Sequence, residues 1–308
     1  MQTDLSDTKP SSNKHARIFA CVFGQKKKNR YCPLTPRLDG KRALVTGGAA
    51  GVGEYVSRGL IDRGANVTTL ARGYSQKSGV MLAAQNLHMD LSDLDSIVDA
   101  VNSLGTEPIH ILICNAGVLS QKSQLTSSKV ERTFAVNVLG HHLLYRLLIE
   151  RNLLAKNAKI VITSGEIYIS ANQCSATIPF DKTDSTYARS KLGNLWQVAE
   201  LTERYLNLHP IAVHPGVVAS GFTGAKHGFM AWVRSKLLIS ENAGAQASLI
   251  GATQNLPRGS YWHNTLGLLH LEHDDPALDS DSAKKLWDEL ETLIAPYLHK
   301  NTVPFKDK

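Results

Sequence analysis

Short apolar runs alternate with longer amphipathic stretches from residue 41 onward. The short runs are rich in β-branched residues and apolar at nearly every position, which is typical of parallel strands buried on both faces. Between them, apolar residues recur at helical spacing, as in residues 54–64, which close on a glycine suited to a helix C-terminus. In residues 91–105 the predicted helix N-cap is Ser92. The predicted strands are RALVT (42–46), NVTTLA (66–71), NLHM (86–89), HILIC (110–114), KIVIT (159–163) and IAVH (211–214).

This alternation predicts an α/β fold, a single-domain doubly wound parallel sheet of Rossmann-like type with helices on both faces. The chain has 308 residues, of which 43% are apolar, and this is ample for one large buried core. We see no internal repeat and no linker within the helix and strand pattern. The predicted organisation is a basic, disordered N-terminal arm (1–38), one domain (39–298) and a C-terminal tail (299–308).

The formal net charge of +7 is concentrated in the N-terminal arm. Residues 1–42 contain ten Lys or Arg residues against three Asp, so the rest of the chain is electrically balanced. A neutral body with a basic arm is a poor candidate for binding nucleic acid. The arm is therefore interpreted as a solvated tail that folding and cofactor binding do not require, with contact to anionic lipid or RNA as the alternative.

Cysteine spacing and apolar run lengths indicate the compartment. The only apolar run of the arm, residues 18–24, is too short to span a bilayer and is followed by QKKKNR rather than by a cleavage site. The cysteines are scattered without a CxxC pair, which predicts reduced thiols, and the histidines lack metal-ligand spacing. We expect a cytoplasmic protein without a metal site. The cysteines are Cys21, Cys32, Cys114 and Cys174.

A glycine-rich turn, TGGAAGVG (46–53), joins the first predicted strand to the first helix. Glycines at such a turn let the backbone approach a pyrophosphate, and the helix N-terminus offers free N–H groups to its charge. The second strand ends at Arg72, 19 residues past Gly53, as a dinucleotide fold requires.

Further motifs follow in an order that resembles the short-chain dehydrogenase/reductase family, over roughly residues 40–295. NAG (115–117) resembles the family's motif beside the adenine ribose, and HPGVVAS (214–220) resembles its nicotinamide loop. The segment FAVNVLGHHLL carries Asn137 at the position of the family's helix-kinking catalytic asparagine. The segment YARSK contains Tyr187 and Lys191. Finer features, including ENAGAQAS (241–248) and GSYW (259–262), are most similar to the retinol-dehydrogenase-like branch. The resemblance implies that the cofactor is bound by Gly47, Gly51, Val52, Gly53, Arg72, Asp90, Leu91, Asn115, Ala116, Gly117, Tyr187, Lys191, Pro215, Gly216, Val218 and Ser220.

Tyr187 and Lys191 carry the expected chemistry. They are four residues apart, so on a helix they share one face. A free phenol titrates near 10, and a neighbouring ammonium favours the phenolate, so we expect a lowered pKa for Tyr187 and a role as general acid/base. The resemblance implies that Lys191 also holds the cofactor ribose and that Asn137 positions a relay water.

The end of the second strand predicts the choice of cofactor. An acidic side chain there would bind the free 2′-hydroxyl of NAD, whereas Arg72 is suited to the 2′-phosphate of NADP. NADP is therefore expected, with NAD as the alternative if Arg72 only covers the adenine face.

ITSGEIYIS (162–170) departs from the family pattern. Aligned without a gap, the family's catalytic serine falls on Gly165, with Ser164 just before it. We expect a local distortion at Gly165 to turn Ser164 toward the substrate oxygen. The alternative is that Ser164 only satisfies backbone at the strand end, and Ser170 is a weaker substitute.

The segment FTGAKHGFMAWVRSKLLIS (222–240) is interpreted as a lid over an apolar substrate, with a second option of contact to a membrane surface. The predicted function is an NADP(H)-dependent alcohol dehydrogenase or carbonyl reductase acting on a small apolar molecule. Two alternatives stay open: a dinucleotide-binding sensor or scaffold with impaired catalysis, and an epimerase or dehydratase, against which the TGxxxGxG spacing argues.

Overall fold

The structure is a computed structural model and describes residues 25–74, 83–120, 123–178, 186–218 and 238–300. Its strands are β1 (Arg42–Thr46), β2 (Asn66–Ala71), β3 (Gln85–His88), β4 (Ile109–Cys114), β5 (Leu154–Thr163), β6 (Leu208–His214), β7 (Tyr261–His263) and β8 (Gly267–Leu269). Its α-helices are α1 (Gln25–Lys28), α2 (Gly51–Ile61), α3 (Leu94–Asn102), α4 (Arg132–Phe134), α5 (Gly140–Glu150), α6 (Thr186–Arg204), α7 (Glu241–Thr253) and α8 (Ser280–Leu298).

The described strands form one sheet in the order β3-β2-β1-β4-β5-β6-β7-β8. All pairings from β3 to β7 are parallel, and only β8 runs antiparallel to β7. The doubly wound parallel sheet predicted from the sequence is therefore confirmed. β7 and β8 were not predicted, because three-residue strands are too short to show a hydrophobic period.

The central strands are buried on both faces, which explains why they are apolar at consecutive positions. On β1, Leu44 belongs to one hydrophobic cluster while Ala43 and Val45 belong to the other. On β4, Leu112 and Ile113 divide between the clusters in the same way. Successive side chains of a strand point to opposite faces, so each run supplies a core to the helices on both sides.

The helices cover these two faces. The first cluster includes residues of α3, α5, α6 and α8, and the second includes residues of α2 and α7. One predicted helix start needs correction: the N-cap of α3 is Asp93, which accepts hydrogen bonds from the backbone of Asp95 and Ser96, rather than Ser92. Among the described residues, no helix is both long and apolar enough to cross a membrane.

The segment of residues 25–38, here called the strap, packs on the domain. Gln25 is fully buried, Leu38 is buried, and the guanidinium of Arg63 donates hydrogen bonds to the carbonyls of Cys32 and Pro33. The backbone N–H of Leu38 donates to Arg63 O at 2.7 Å. The prediction of a disordered arm over residues 1–38 is therefore wrong for residues 25–38, and removal of residues 1–36 would take away packed structure.

Candidate active site

The glycine-rich turn has a backbone that only glycines allow. Gly47 and Gly51 have φ values of 64° and 57°, and a Cβ on Gly53 would lie 2.2 Å from the carbonyl oxygen of Gly47. The residue before α2 is Ala50, and among the described residues no side chain caps this helix start. The first backbone N–H groups of α2 thus have no side-chain cap, and such N–H groups at a helix N-terminus are suited to bind a phosphate.

The NAG motif is tied to the end of β1. The backbone N–H groups of Asn115 and Ala116 both donate to Thr46 Oγ1 at 3.0 Å, and Asn115 Nδ2 donates to Thr46 O at 3.1 Å. A Cβ on Gly47 would lie 3.2 Å from that of Ala116. The motif and the glycine-rich turn therefore form one surface at the carboxyl ends of β1 and β4, where the strand order changes direction. Dinucleotides bind at such a topological switch point.

The residues predicted to meet the adenine half lie beyond β2 and β3. Arg72 follows β2 and is exposed, so its guanidinium is accessible to a ligand. Asp90 Oδ1 accepts hydrogen bonds from the N–H and hydroxyl of Ser92, and Leu91 is buried. A Cβ on Gly140 would lie 2.4 Å from Leu91 O, so the start of α5 packs directly against this turn.

Asn137 lies in a π-helical turn, Ala135–Leu139, between α4 and α5. Its side chain bonds both backbone groups of Val118: Oδ1 accepts from the N–H at 2.8 Å, and Nδ2 donates to the carbonyl at 3.0 Å. Nδ2 also donates to Ser190 Oγ at 3.0 Å. The helix irregularity expected at Asn137 is confirmed, and it connects the segment after NAG to α6.

His141 is a member of the site that the sequence analysis did not assign. Its Nδ1 lies 3.3 Å from Asn137 O and its Nε2 lies 2.9 Å from Thr46 Oγ1. A carbonyl only accepts, so Nδ1 carries the proton and Nε2 accepts from the hydroxyl. Burial lowers the pKa of His141 to about 4, which keeps the ring neutral. His141 thus links the π-helical turn to the hydroxyl that holds the NAG motif.

Tyr187 and Lys191 share one face of α6, as predicted. The ammonium of Lys191 lies 5.4 Å from the centre of the Tyr187 ring and donates to Thr163 O, at the end of β5, at 2.8 Å. Asn194 Nδ2 donates to the same carbonyl at 3.0 Å. A Cβ on Gly117 would lie 4.0 Å from Lys191 Nζ. The end of β5 therefore sets the position of Lys191 beside the NAG motif.

The pKa values of this pair differ from the expectation. Burial raises the pKa of Tyr187 to about 12 and lowers the pKa of Lys191 to about 8. Desolvation penalises the charged form of each group, and it outweighs the attraction between phenolate and ammonium at this separation. The predicted lowering of the Tyr187 pKa is therefore wrong for the protein without a nucleotide.

Ser164 does not take the place of the missing serine. Its hydroxyl donates to the backbone carbonyl of Lys191 at 2.8 Å, and only 2% of the residue is exposed. Gly165 is extended, with φ −177° and ψ 142°, so it does not distort the strand end and does not turn Ser164 toward the site. The prediction that Ser164 bonds the substrate oxygen is wrong for this reason. Ser170 is exposed and donates to Ile167 O.

Gly165 is buried, but there is room for a Cβ on it. The nearest atoms to a Cβ built there are His214 Nδ1 and Lys191 Cγ, both at 3.8 Å, which is ordinary van der Waals contact. A Cβ therefore fits at this position, and the extended backbone there is compatible with any residue. By the resemblance described above, Gly165 stands where the family has its serine, and a glycine supplies no hydroxyl there.

The loop after β6 completes the site. A Cβ on Gly244 of α7 would lie 2.6 Å from Val218 Cγ2 and 3.4 Å from Val52 Cγ2, so this loop and the glycine-rich turn meet at the same part of α7. Pro215 and Gly216 precede Val218 directly after the strand. Ser220 and nearly all of the predicted lid, residues 222–237, lie outside the described residues.

Comparison with known proteins agrees with this geometry. The family model described as short chain dehydrogenase matches residues 41–227. The chain is 34% identical over 236 residues to mouse retinol dehydrogenase 12, covering 71% of this chain and 75% of that protein. It is 26% identical over 311 residues to human retinol dehydrogenase 13, covering 89% and 91%.

Solved structures share the fold. An uncharacterised protein from Mycobacterium paratuberculosis superimposes with a TM-score of 0.67 at 25% identity, covering 84% of this chain and 95% of that one. A short chain dehydrogenase from Burkholderia cenocepacia, solved in complex with NADP, gives a TM-score of 0.58 at 23% identity, covering 75% and 99%.

Proposed function

The chain belongs to the short-chain dehydrogenase/reductase family of NAD(P)-dependent oxidoreductases, and we propose that it interconverts an alcohol and a carbonyl on an apolar substrate with NADP(H). The observation that carries this proposal is the position of Tyr187. Its ring lies 5.4 Å from the Lys191 ammonium, on a helix face that adjoins the end of β5 and the NAG motif. A phenol beside an ammonium at a dinucleotide site is equipped to transfer a proton to or from an oxygen.

The residues present fit a dinucleotide. The glycine-rich turn offers the uncapped start of α2 to a pyrophosphate, and its close packing against the NAG motif leaves no room for a side chain at Gly53. Arg72 would meet a 2′-phosphate with a charge-assisted hydrogen bond, which favours NADP over NAD. Lys191 would hold the ribose near the nicotinamide.

When bound, the nicotinamide supplies or accepts the hydride. Tyr187 gives its phenolic proton to the carbonyl oxygen in reduction and takes it back in oxidation. Lys191, when protonated, stabilises the phenolate that forms. Asn137 holds Val118 and Ser190 in place and so fixes the spacing between the NAG motif and α6.

Two features support an apolar substrate. Relatives at 31–35% identity are named retinol dehydrogenases 11 and 12, and retinol is an apolar alcohol. The predicted lid also contains Phe222, Phe229, Met230, Trp232 and Leu237. We propose the same class of substrate for this chain, an apolar alcohol or carbonyl, and do not propose retinol itself.

The test is NADPH oxidation with a panel of aldehydes and ketones that runs from short polar to long apolar carbonyls. We expect turnover to rise with apolar chain length, with NADH a poorer donor. A preference for short polar carbonyls would overturn the substrate class. The absence of NADPH oxidation with every member, together with unmeasurable NADPH binding, would overturn the proposal itself.

A second candidate function is a dinucleotide-binding sensor with slow turnover. The observation that favours it is that Gly165 has no side chain at the position where the family resemblance places a serine hydroxyl. NADPH binding of normal strength with turnover that remains close to zero across the panel would favour the sensor over the oxidoreductase.

A further inference from the structure

The strap reaches the loop that follows β6. Gln25 at its N-terminal end is fully buried, and its side-chain amide bonds both backbone groups of one residue, Val217. The N–H of Val217 donates to Gln25 Oε1 at 2.8 Å, and Gln25 Nε2 donates to Val217 O at 3.2 Å. The amide thus satisfies both the N–H and the carbonyl of Val217, as the backbone of a neighbouring strand would.

The fit between the Gln25 amide and the loop is tight. Gly216 has φ 90°, and a Cβ there would lie 2.9 Å from Gln25 Oε1 and 2.7 Å from Ile239 Cδ1. A side chain at residue 216 would therefore displace the amide as well as strain the backbone. The loop has space for Gln25 because residue 216 is a glycine.

A second residue joins the strap to the same loop. Asn264, fully buried after β7, has three acceptors around the two protons of its Nδ2: Asn29 Oδ1 of the strap, Ala243 O of α7 at 3.1 Å and Pro215 O of the loop at 3.4 Å. The backbone N–H of Arg30 donates to Asn264 O at 3.2 Å. The strap, α7 and the loop thus meet at one buried amide.

The remaining contacts hold the strap along its length. Gln246 Oε1 on α7 accepts from the backbone N–H of Cys32 at 2.9 Å, and the Arg63 guanidinium donates to the carbonyls of Cys32 and Pro33. The Arg30 guanidinium lies 5.7 Å from the centre of the Trp262 ring. These contacts are independent of the loop, so a change at Gln25 alone leaves most of the strap attached.

The loop lies on the nicotinamide side of the site. It follows β6, whose Val213 pairs with Thr163 of β5, and Thr163 is the residue whose carbonyl accepts from Lys191. A dinucleotide crosses the carboxyl edge of the sheet, with one nucleotide on each side of the switch between β1 and β4. Arg72 after β2 is on one side, and residues 215–218 are on the other.

We propose that Gln25 is a positioning residue for the nicotinamide half of the cofactor, so that the N-terminal strap is part of the cofactor site. By pairing with Val217, it holds the backbone of residues 215–218 in one conformation before the cofactor binds. The proposal rests on the proposed function. Without the amide, the loop must be ordered by the cofactor itself, and this cost weakens binding of the nicotinamide half only.

The experiment compares full-length Gln25→Ala with the parent and with Arg37→Ala, a control at the other end of the strap that removes an exposed ion pair with Asp39. Calorimetry measures binding of NADPH and of 2′,5′-ADP, which contains the adenine half alone. We expect Gln25→Ala to bind NADPH about tenfold more weakly, as two hydrogen bonds of ordinary strength imply. Binding of 2′,5′-ADP should stay within twofold, and Arg37→Ala should match the parent with both ligands.

Amide hydrogen exchange of the peptide covering residues 211–218, measured without any nucleotide, gives a second result. We expect faster exchange at Val217 in Gln25→Ala, whether or not NADPH is the true cofactor. An unchanged exchange rate at Val217 would overturn the proposal. Equal losses of affinity for NADPH and for 2′,5′-ADP in Gln25→Ala would also overturn it, because they would indicate general destabilisation of the protein. If the parent protein does not bind NADPH but Gln25→Ala still exchanges faster at Val217, Gln25 does hold the loop in place. That result would overturn the proposed function instead.

Discussion

The hydroxyl of Ser164 donates a hydrogen bond to the backbone carbonyl of Lys191, 2.8 Å away. This bond ties the end of β5 to the middle of α6, and it uses the only proton that the hydroxyl could give to a substrate. Gly165, the next residue, is buried, and a Cβ built on it would make ordinary contacts with Lys191 Cγ and His214 Nδ1 at 3.8 Å.

The first prediction follows from this pair. Gly165→Ser should raise turnover by about tenfold or more, because it adds one donor directed at the substrate oxygen, at a position that accepts a side chain without strain. Steady-state kinetics with NADPH and the best carbonyl substrate will measure the change. Turnover unchanged or lowered, with NADPH affinity intact, would contradict it.

Ser164→Ala is the matched variant. We expect turnover within about threefold of the parent and a loss of stability of about 1 kcal/mol, since a buried hydrogen bond between β5 and α6 is removed. Chemical denaturation measures the stability. Ser170→Ala, at an exposed site, should change neither quantity. A tenfold loss of turnover in Ser164→Ala would return Ser164 to a direct role.

Tyr187→Phe should lower turnover by at least about a hundredfold, because the proton-transferring hydroxyl is lost while the ring keeps its packing. NADPH affinity, measured by calorimetry, should stay close to that of the parent. Tyr74→Phe, which removes a hydroxyl that donates to the backbone carbonyls of Thr69 in β2 and Leu87 in β3, serves as the control for loss of a phenol. Activity of Tyr187→Phe within a few-fold of the parent would remove Tyr187 from the chemistry.

Lys191 predicts a pH dependence of cofactor binding. Its pKa in the free protein is lowered by burial to about 8, so it carries a full positive charge below that pH and loses it above. The anionic cofactor binds the charged form better, so NADPH affinity should fall as pH rises through about 8. Calorimetry from pH 6.5 to 9.5 measures this slope, and Lys191→Met should remove it. An equal slope in both proteins would assign the effect to another group.

Arg72→Ala should reduce the preference for NADPH over NADH, which we expect to be several-fold in the parent. The reason is loss of a charge-assisted hydrogen bond to the 2′-phosphate, with NADH binding unaffected. Arg58→Ala, which removes an exposed arginine of α2 paired with Glu54, is the control for the change in net charge. Equal affinities for both cofactors in the parent would refute the choice of NADP.

Glu291 predicts how stability depends on pH. Burial alone would raise the pKa of Glu291, but the hydrogen bonds and charges of His142 and Arg146 outweigh it and lower the pKa to about 2, from an ordinary value of 4.5. The folded state therefore gains stability from this carboxylate above pH 4.5 and loses that gain as pH falls toward 2. Between pH 6 and 3 the melting temperature of Glu291→Gln should fall less than that of the parent, while Glu203→Gln, at an exposed site, should follow the parent.

The sheet and the order of the site motifs could be predicted from the sequence because they rest on local signals. Buried strands show as continuous apolar runs, and the spacing of Tyr187 and Lys191 places both on one helix face without any knowledge of the fold. The same reasoning failed at Ser164, since the partner of its hydroxyl, Lys191 O, is 27 residues away and on another element. No pattern near Ser164 indicates that carbonyl.

The pKa of Tyr187 was predicted in the wrong direction for a related reason. The sequence shows the charge of Lys191 four residues away but not how deeply the two groups are buried, and burial decides the sign here. The role of Gln25 is the hardest of these to predict from the sequence. Gln25 lies in a basic segment that has the composition of a solvated tail, and its partner Val217 is 192 residues further along the chain.

The position of the strap has a consequence for synthesis of the protein. Asn29 meets Asn264, and these residues are 235 positions apart. At about 5–20 residues per second, roughly 10–50 s pass on the ribosome between the two. During that interval Arg63 can already bind the carbonyls of Cys32 and Pro33, but the buried amide of Asn264, which joins Asn29 to the loop, has not yet been made. A chain released before β7 would possess the glycine-rich turn, Tyr187 and Lys191, yet would lack the amide that joins the strap, α7 and the loop after β6.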